Sequence, residues 1–172
     1  MLTIEQLSPE AAHAALPALA DLLADSVASG ASIGFLPPFG AAEARDYWEA
    51  VIADMRQASR LLLLARRDAA PVGTAQLELA TKPNALHRAE VQKVLVHSQA
   101  RRQGIGRALM AALATLARQH GRSLLVLDTR QGDPSEQLYR SAGYTLAGTI
   151  PGYARNADGT LAATALYYHV LE

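Results

Sequence analysis

Apolar residues recur along this chain in two rhythms, one helical and one of alternate positions. The clearest helical stripe is Ile105, Ala108, Leu109, Ala112, Leu113, Leu116 and Ala117, which all fall on one face. It predicts a helix over 104–120, ended by Gly121. A second helix is expected over 41–58, where Tyr47, Val51 and Met55 stand four apart. Ser8-Pro9-Glu10 reads as a helix start, with Ser8 as N-cap and Pro9 at the first helical position. That helix should run towards Ser29, kinked or split by Pro17. A short helix over 135–142 is closed by Gly143.

The strands follow from alternation and from short aliphatic runs. Leu2–Gln6 is a short first strand. Leu61–Arg66 and Val72–Ala80 form a hairpin across the turn 67–71. Arg88–Val96 is a strand after the break at Lys82-Pro83-Asn84. Leu124–Leu127 is a buried strand, parallel to its βαβ partner. Tyr144–Ile150 and Ala165–Val170 complete the set, joined by 151–160 with its Asp158-Gly159 turn signal. Gly30–Gly40 reads as a loop carrying two exposed aromatics. The expected architecture is α/β, one domain over 1–172, with a mixed, mostly antiparallel sheet of six to seven strands and about four helices.

Composition narrows the function. There is no cysteine, which removes disulfides, thiolate nucleophiles and cysteine zinc sites. Lys+Arg and Asp+Glu balance at 16 each, so a cationic nucleic-acid surface is not the expected design. No apolar run is long enough to span a bilayer, and the first residues do not read as a signal peptide, so a cytoplasmic protein without membrane partners is expected. His13, His87, His97, His120 and His169 show no metal-ligand spacing, and no metal is expected.

The chemistry concentrates at Arg101-Arg102-Gln103-Gly104-Ile105-Gly106, between a strand and the clearest helix. Backbone N–H groups at a helix start lack internal partners and carry the positive end of the dipole, so they suit a pyrophosphate. Gly104 and Gly106 would let the backbone approach it, and Arg101, Arg102 and Arg107 add charge. A Walker loop is ruled out, because Gly106-Arg107-Ala108 lacks Lys-Ser/Thr. The dinucleotide fingerprint is ruled out too, because Leu109 stands where its third glycine belongs.

The remaining pattern, Gln/Arg-x-x-Gly-x-Gly/Ala after a strand, resembles the coenzyme A loop of the GNAT N-acetyltransferase superfamily. Leu138-Tyr139-Arg140-Ser141-Ala142-Gly143-Tyr144 resembles a second segment of that superfamily. Local segments also resemble the tabtoxin resistance protein-type acetyltransferases. They are Gly30–Phe35, Lys82–Asn84, Arg88–Lys93, Leu127–Thr129, Pro151–Tyr153 and Asp158-Gly159.

The resemblance implies acetyl-CoA as cosubstrate and a small amine as acceptor, amino-acid-like or toxin-like. It places coenzyme binding at Val94, Leu95, Val96, Arg101, Arg102, Gln103, Gly104, Ile105, Gly106, Arg107 and Tyr139. It assigns Tyr139 as acid for the departing thiolate and an acidic pair, Glu90 and Asp128, to the active site. Alternation puts Glu90, Gln92, Val94 and Val96 on one face, and Asp128 at the end of its strand. Other roles stay open for these residues. Glu90 can pair with Arg88 or Lys93, Asp128 can cap the following turn, and Tyr139 can be a core aromatic. Ile33, Phe35 and Tyr153 are candidate acceptor walls beside Glu90 and Asp128, with Glu78 or Asp158 to attract a cation. A monomer or homodimer is expected. The alternative is a non-catalytic acyl-CoA sensor, which would keep the loop without needing an acid or a base.

Overall fold

The structure is a computed structural model describing residues 1–172. Strand β1 spans Leu2–Gln6, and helices α1 (Pro9–Ala14) and α2 (Leu16–Ala28) follow it. Ser8 caps α1, its Oγ accepting from the Ala11 N–H at 3.1 Å, with Pro9 next in line. Pro17 has no N–H to give the His13 carbonyl, and the chain breaks at Ala15. Of the kink or split expected at Pro17, the chain takes the split, which brings the total to five α-helices.

Helix α3 is Ala41–Arg56, ahead of the hairpin β2 (Arg60–Arg67) and β3 (Ala70–Leu79). Strand β4 is Arg88–Val96, α4 is Ile105–Gln119 and β5 is Leu124–Arg130. Helix α5 (Ser135–Ser141) and strands β6 (Thr145–Arg155) and β7 (Leu161–Val170) complete the chain. Strands β6 and β7 outrun the predicted ones, so Pro151-Gly152-Tyr153 lies in a strand and not in a loop. Strand irregularities on β6 between Ile150 and Ala154 absorb its proline and glycine.

The sheet order is β1-β2-β3-β4-β5-β7-β6. Only β4 and β5 run parallel, as α4 between them requires. Each face carries its own core. On one face α4 lays Ile105, Leu109, Leu113 and Leu116 against Leu63, Leu77, Val91, Leu125 and Leu127. Burial of each such side chain contributes about 1.5–3 kcal/mol. On the other face α2 and α3 pack Leu19, Leu22, Trp48 and Ile52 against Leu62, Leu64 and Leu95. Those helices cover the β1–β4 half. The aligned positions Tyr168 and Val170 of β7 stay exposed.

Two expectations change here. Phe35 and Phe39 are not exposed: their rings meet at a tilt, 4.8 Å between centroids, and Phe35 meets Tyr47 edge-on at 5.4 Å. This aromatic group seats the 30–40 loop on the second core. The alternation along β4 also fails after Gln92. Gln92 pairs with Gln76 and Leu95 with Thr74, so two residues of β4, Lys93 and Val94, face the single Ala75 of β3. That is a β-bulge, with Lys93 at φ +47°. The extra residue reverses the inward side. Leu95 joins Leu62 and Leu64, while Val94 and Val96 pack against the α4 core. Val94 and Val96 therefore do not share a face with Glu90 and Gln92.

Candidate active site

The bulge and a parting of strands make the site. Strands β4 and β5 pair only through Arg88–Leu124, Ala89–Leu125 and Glu90–Val126. Beyond that point β4 stays with β3 up to Val96, and β5 stays with β7 up to Arg130. The sheet opens as a V with Glu90 at its apex. The edge of β4 from Val91 to Val96 loses its strand partner on that side.

Helix α4 starts at the mouth of the V. Gly104 enters it at φ +80°, a left-handed value that favours glycine. No side chain caps the helix, and no backbone acceptor meets the N–H groups of Ile105, Gly106 or Arg107. These donors, with Arg101, Arg102 and Arg107, line one end of a cleft of about 1130 Å³. Arg101 also donates from Nε to the Val96 carbonyl at 3.1 Å, tying the loop to the open strand. Gly106 serves a second purpose. A Cβ there would meet the Leu138 side chain at 3.1 Å, so glycine lets α5 pack close to α4. Gln103 Nε2 turns back to the Gln99 carbonyl at 3.3 Å, and Gln103 is not among the residues that line the cleft.

Glu90, Asp128 and Tyr139 line this same cleft, with Val94, Leu95, Val96, Ile33 and Tyr153. Glu90 is half-buried and ion-pairs with neither Arg88 nor Lys93. Burial holds its carboxyl above the usual 4.5 against a hydrogen bond with Gln92, and the charges of Glu78 and Asp128 push the same way. Asp128 does not end its strand, because β5 continues to Arg130. Nor does it cap the next turn; its Oδ2 accepts from the Thr164 hydroxyl at 2.9 Å. It lies two residues past Val126, the β5 partner of Glu90, so both carboxylates project from one face.

Tyr139 is at once a core aromatic and a cleft residue. It is buried between Tyr144 and Tyr167, with ring centroids 6.2 Å from each. Burial, then the charges of Asp128 and Asp133, push its hydroxyl up to about 12. It therefore keeps its proton at neutral pH.

The acceptor walls are only partly as predicted. Phe35 lies off the main cleft and lines an adjoining cavity of about 590 Å³. Glu78 and Asp158 are already engaged. Glu78 accepts from Arg60 at 3.0 Å and from Gln92 at 2.7 Å, and Asp158 accepts from Thr160 in the β6–β7 turn. His97 is structural: it starts a 3-10 turn, where the neighbouring Ser98 N–H and hydroxyl are held by Asp25 of α2. No group of three or more His, Asp or Glu side chains is placed to hold a metal ion. No helix is long and apolar enough to cross a membrane.

Sequence reasoning missed Gly73, Lys93 and Arg130. A Cβ on Gly73 would lie 2.8 Å from the Leu95 carbonyl oxygen, so only glycine fits there, opposite Val96 just beyond the bulge. Lys93 sits in the bulge and lines the cleft. Arg130 joins three segments, bonding Asp133, Asn156 and the Gly30 carbonyl. The glycine interrupting the alternation of β3 was the available signal for the first of these.

A model of the acetyltransferase (GNAT) family matches residues 28–144. The chain belongs to this family. It is an acetyltransferase, and its cosubstrate is acetyl-CoA. The cleft fits that molecule, with unpartnered N–H groups and arginines for the pyrophosphate and a free strand edge for the amide-bearing arm. Solved structures share the fold along the whole chain. The ribosomal-protein-alanine N-acetyltransferase of Brucella melitensis is 26% identical with TM-score 0.82, over 98% of this chain and 99% of that one. The yncA protein of Salmonella typhimurium, solved with acetyl-CoA, is 20% identical with TM-score 0.81, over 100% and 95%. An N-acetyltransferase of Staphylococcus aureus Mu50 is 18% identical with TM-score 0.83, over 100% and 99%.

Proposed function

We propose that the protein moves the acetyl group of acetyl-CoA to the amine of a small molecule, amino-acid-like or toxin-like, by direct attack. The observation that carries this reading is the meeting of Glu90, Asp128 and Tyr139 in one cleft that also receives the α4 N-terminus. Attack needs a neutral amine, so an ammonium must first give up a proton. Glu90 is suited to take it, because its raised pKa makes its carboxylate a stronger base than an ordinary one. Asp128 adds negative charge that favours a cationic acceptor. The free backbone edge of β4 supplies donors for the carbonyl oxygen as it becomes anionic. Tyr139 faces the leaving thiolate as a protonated donor. A phenol this weakly acidic stabilises the thiolate by hydrogen bonding as well as by proton transfer.

The small acceptor follows from the segments that resemble tabtoxin resistance protein-type enzymes, and from the aromatic-anchored 30–40 loop that narrows the cleft. Acetyl-CoA turnover against a panel of amines, amino acids and peptides tests it. Small amines should release coenzyme A thiol. Acetylation of peptides alone would overturn the small-molecule acceptor. If Glu90→Gln and Asp128→Asn both keep full turnover, the base assignment is wrong.

A further inference from the structure

The cations that line the cleft are not equivalent. Arg101, Arg102 and Arg107 stand at the α4 end, where the pyrophosphate is expected. Arg130 is balanced by Asp133 at 2.9 Å and also bonds Asn156. Arg60, behind the site, is paired with Asp54 at 3.3 Å and Glu78 at 3.0 Å, and bonds Gln76 and Gln92. Lys93 differs from all of these. It is half-buried on the acceptor side and has no ion-pair or hydrogen-bond partner. Its Nζ lies 5.9 Å from the Phe35 ring centroid and 5.6 Å from that of Tyr47. Aromatic faces steady an ammonium without neutralising it.

The bulge aims this side chain. Its left-handed backbone at φ +47° places Lys93 beside the apex of the V, and the aromatic-anchored loop encloses it. The charged groups around Lys93 are Arg60, Asp128 and Glu90. Arg60 is already satisfied, and neither carboxylate is in contact with Lys93. A partly buried cation without a partner is costly unless an anion arrives. The cleft thus offers two carboxylates and, out of contact with them, one uncommitted ammonium.

We propose that the acceptor is zwitterionic and that Lys93 binds its carboxylate while its amine is turned to Glu90 and Asp128. This rests on the acetyl transfer to a small amine described above, and it makes Lys93 a specificity-determining residue. Burial lowers the Lys93 pKa, with the Arg60 charge assisting, and an incoming carboxylate would reverse that shift.

The test uses matched pairs: L-phenylalanine with phenethylamine, L-methionine with 3-(methylthio)propylamine, and L-lysine with cadaverine. Thiol release is followed at saturating acetyl-CoA. The wild type should favour the carboxylated member of a pair by about ten- to a hundredfold in kcat/KM, the range of one charge-assisted hydrogen bond. Lys93→Met, which keeps an unbranched stem but removes the charge, should erase most of that preference through KM for the amino acid. Lys93→Arg should restore part of it. Coenzyme A affinity and the circular dichroism spectrum verify that both variants fold. Small amines acetylated without a carboxylate preference, or a preference unchanged in Lys93→Met, would overturn the role of Lys93 and leave the acetyl transfer standing. No thiol release with any small amine would instead overturn the small-molecule acceptor itself.

Discussion

The two ends of the cleft are built from different materials. The donor end is mostly main chain: the open N-terminus of α4, the left-handed Gly104 and the unpaired edge of β4, with three arginines around them. The proposed acceptor end is side chain: Glu90, Asp128, Lys93, Ile33 and Tyr153, drawn from three strands and a loop. Main-chain donors survive almost any substitution that keeps the fold, so one donor site suits many sequences. Side chains can be exchanged without moving the backbone, so the acceptor can change while the donor stays. Structures at 18–26% identity keep the whole fold.

Substitutions can separate the two ends. The largest effect should come from Glu90→Gln, which removes the proposed base and leaves the donor backbone intact. Turnover should fall by about 10²-fold or more while coenzyme A affinity holds, as steady-state kinetics and calorimetry would read. Tyr139→Phe should lower turnover by about ten- to a hundredfold with little change in either KM. An equal loss in coenzyme A affinity would mark Tyr139 as packing alone.

Gly73→Ala tests the donor end through its scaffold. A methyl group against the Leu95 carbonyl must displace the bulge, costing about 1–3 kcal/mol in chemical denaturation. Coenzyme A binding should weaken with it, because the same strand presents the free edge.

Acidity offers a subtler separation. The folded protein holds the Glu90 proton to a higher pH than the unfolded chain does, chiefly through burial. That contribution to stability is fully present below the unfolded pKa and is lost as pH rises through the folded one. Glu90→Gln should therefore melt higher than the wild type at neutral pH, with the difference vanishing in acid. The acid limb of the kcat/KM profile should lie above the usual carboxylate range and disappear in that variant. The smallest effect should be that of Asp25→Ala. Loss of its bonds to Ser98 should cost about 1 kcal/mol in thermal melts and shift KM for acetyl-CoA only slightly.

Much of the fold was legible because its signals are local. The Ser8 cap, the Pro17 break, the α4 stripe and the glycines after α4 and α5 each act within a turn or two of chain. Strand β4 has the same bounds in sequence and structure for that reason. The helix start at Gly104 could be named from residue type and spacing, and the carboxylates Glu90 and Asp128 from the resemblance. Which way the residues after Gln92 point could not.

The sequence by itself determined the elements, the open helix start with its arginines, and the chemical types available for catalysis. Each of these depends on neighbours a few positions away. Only the tertiary structure decided that β4 bulges at Lys93, that β4 and β5 part after Glu90, and that Phe35 turns inward to the second core. A bulge exists only relative to the partner strand, here Ala75 with Gly73 giving room for Leu95. Pairing partners far apart in sequence set these features, and one inserted residue is enough to reverse which side chains reach the cleft.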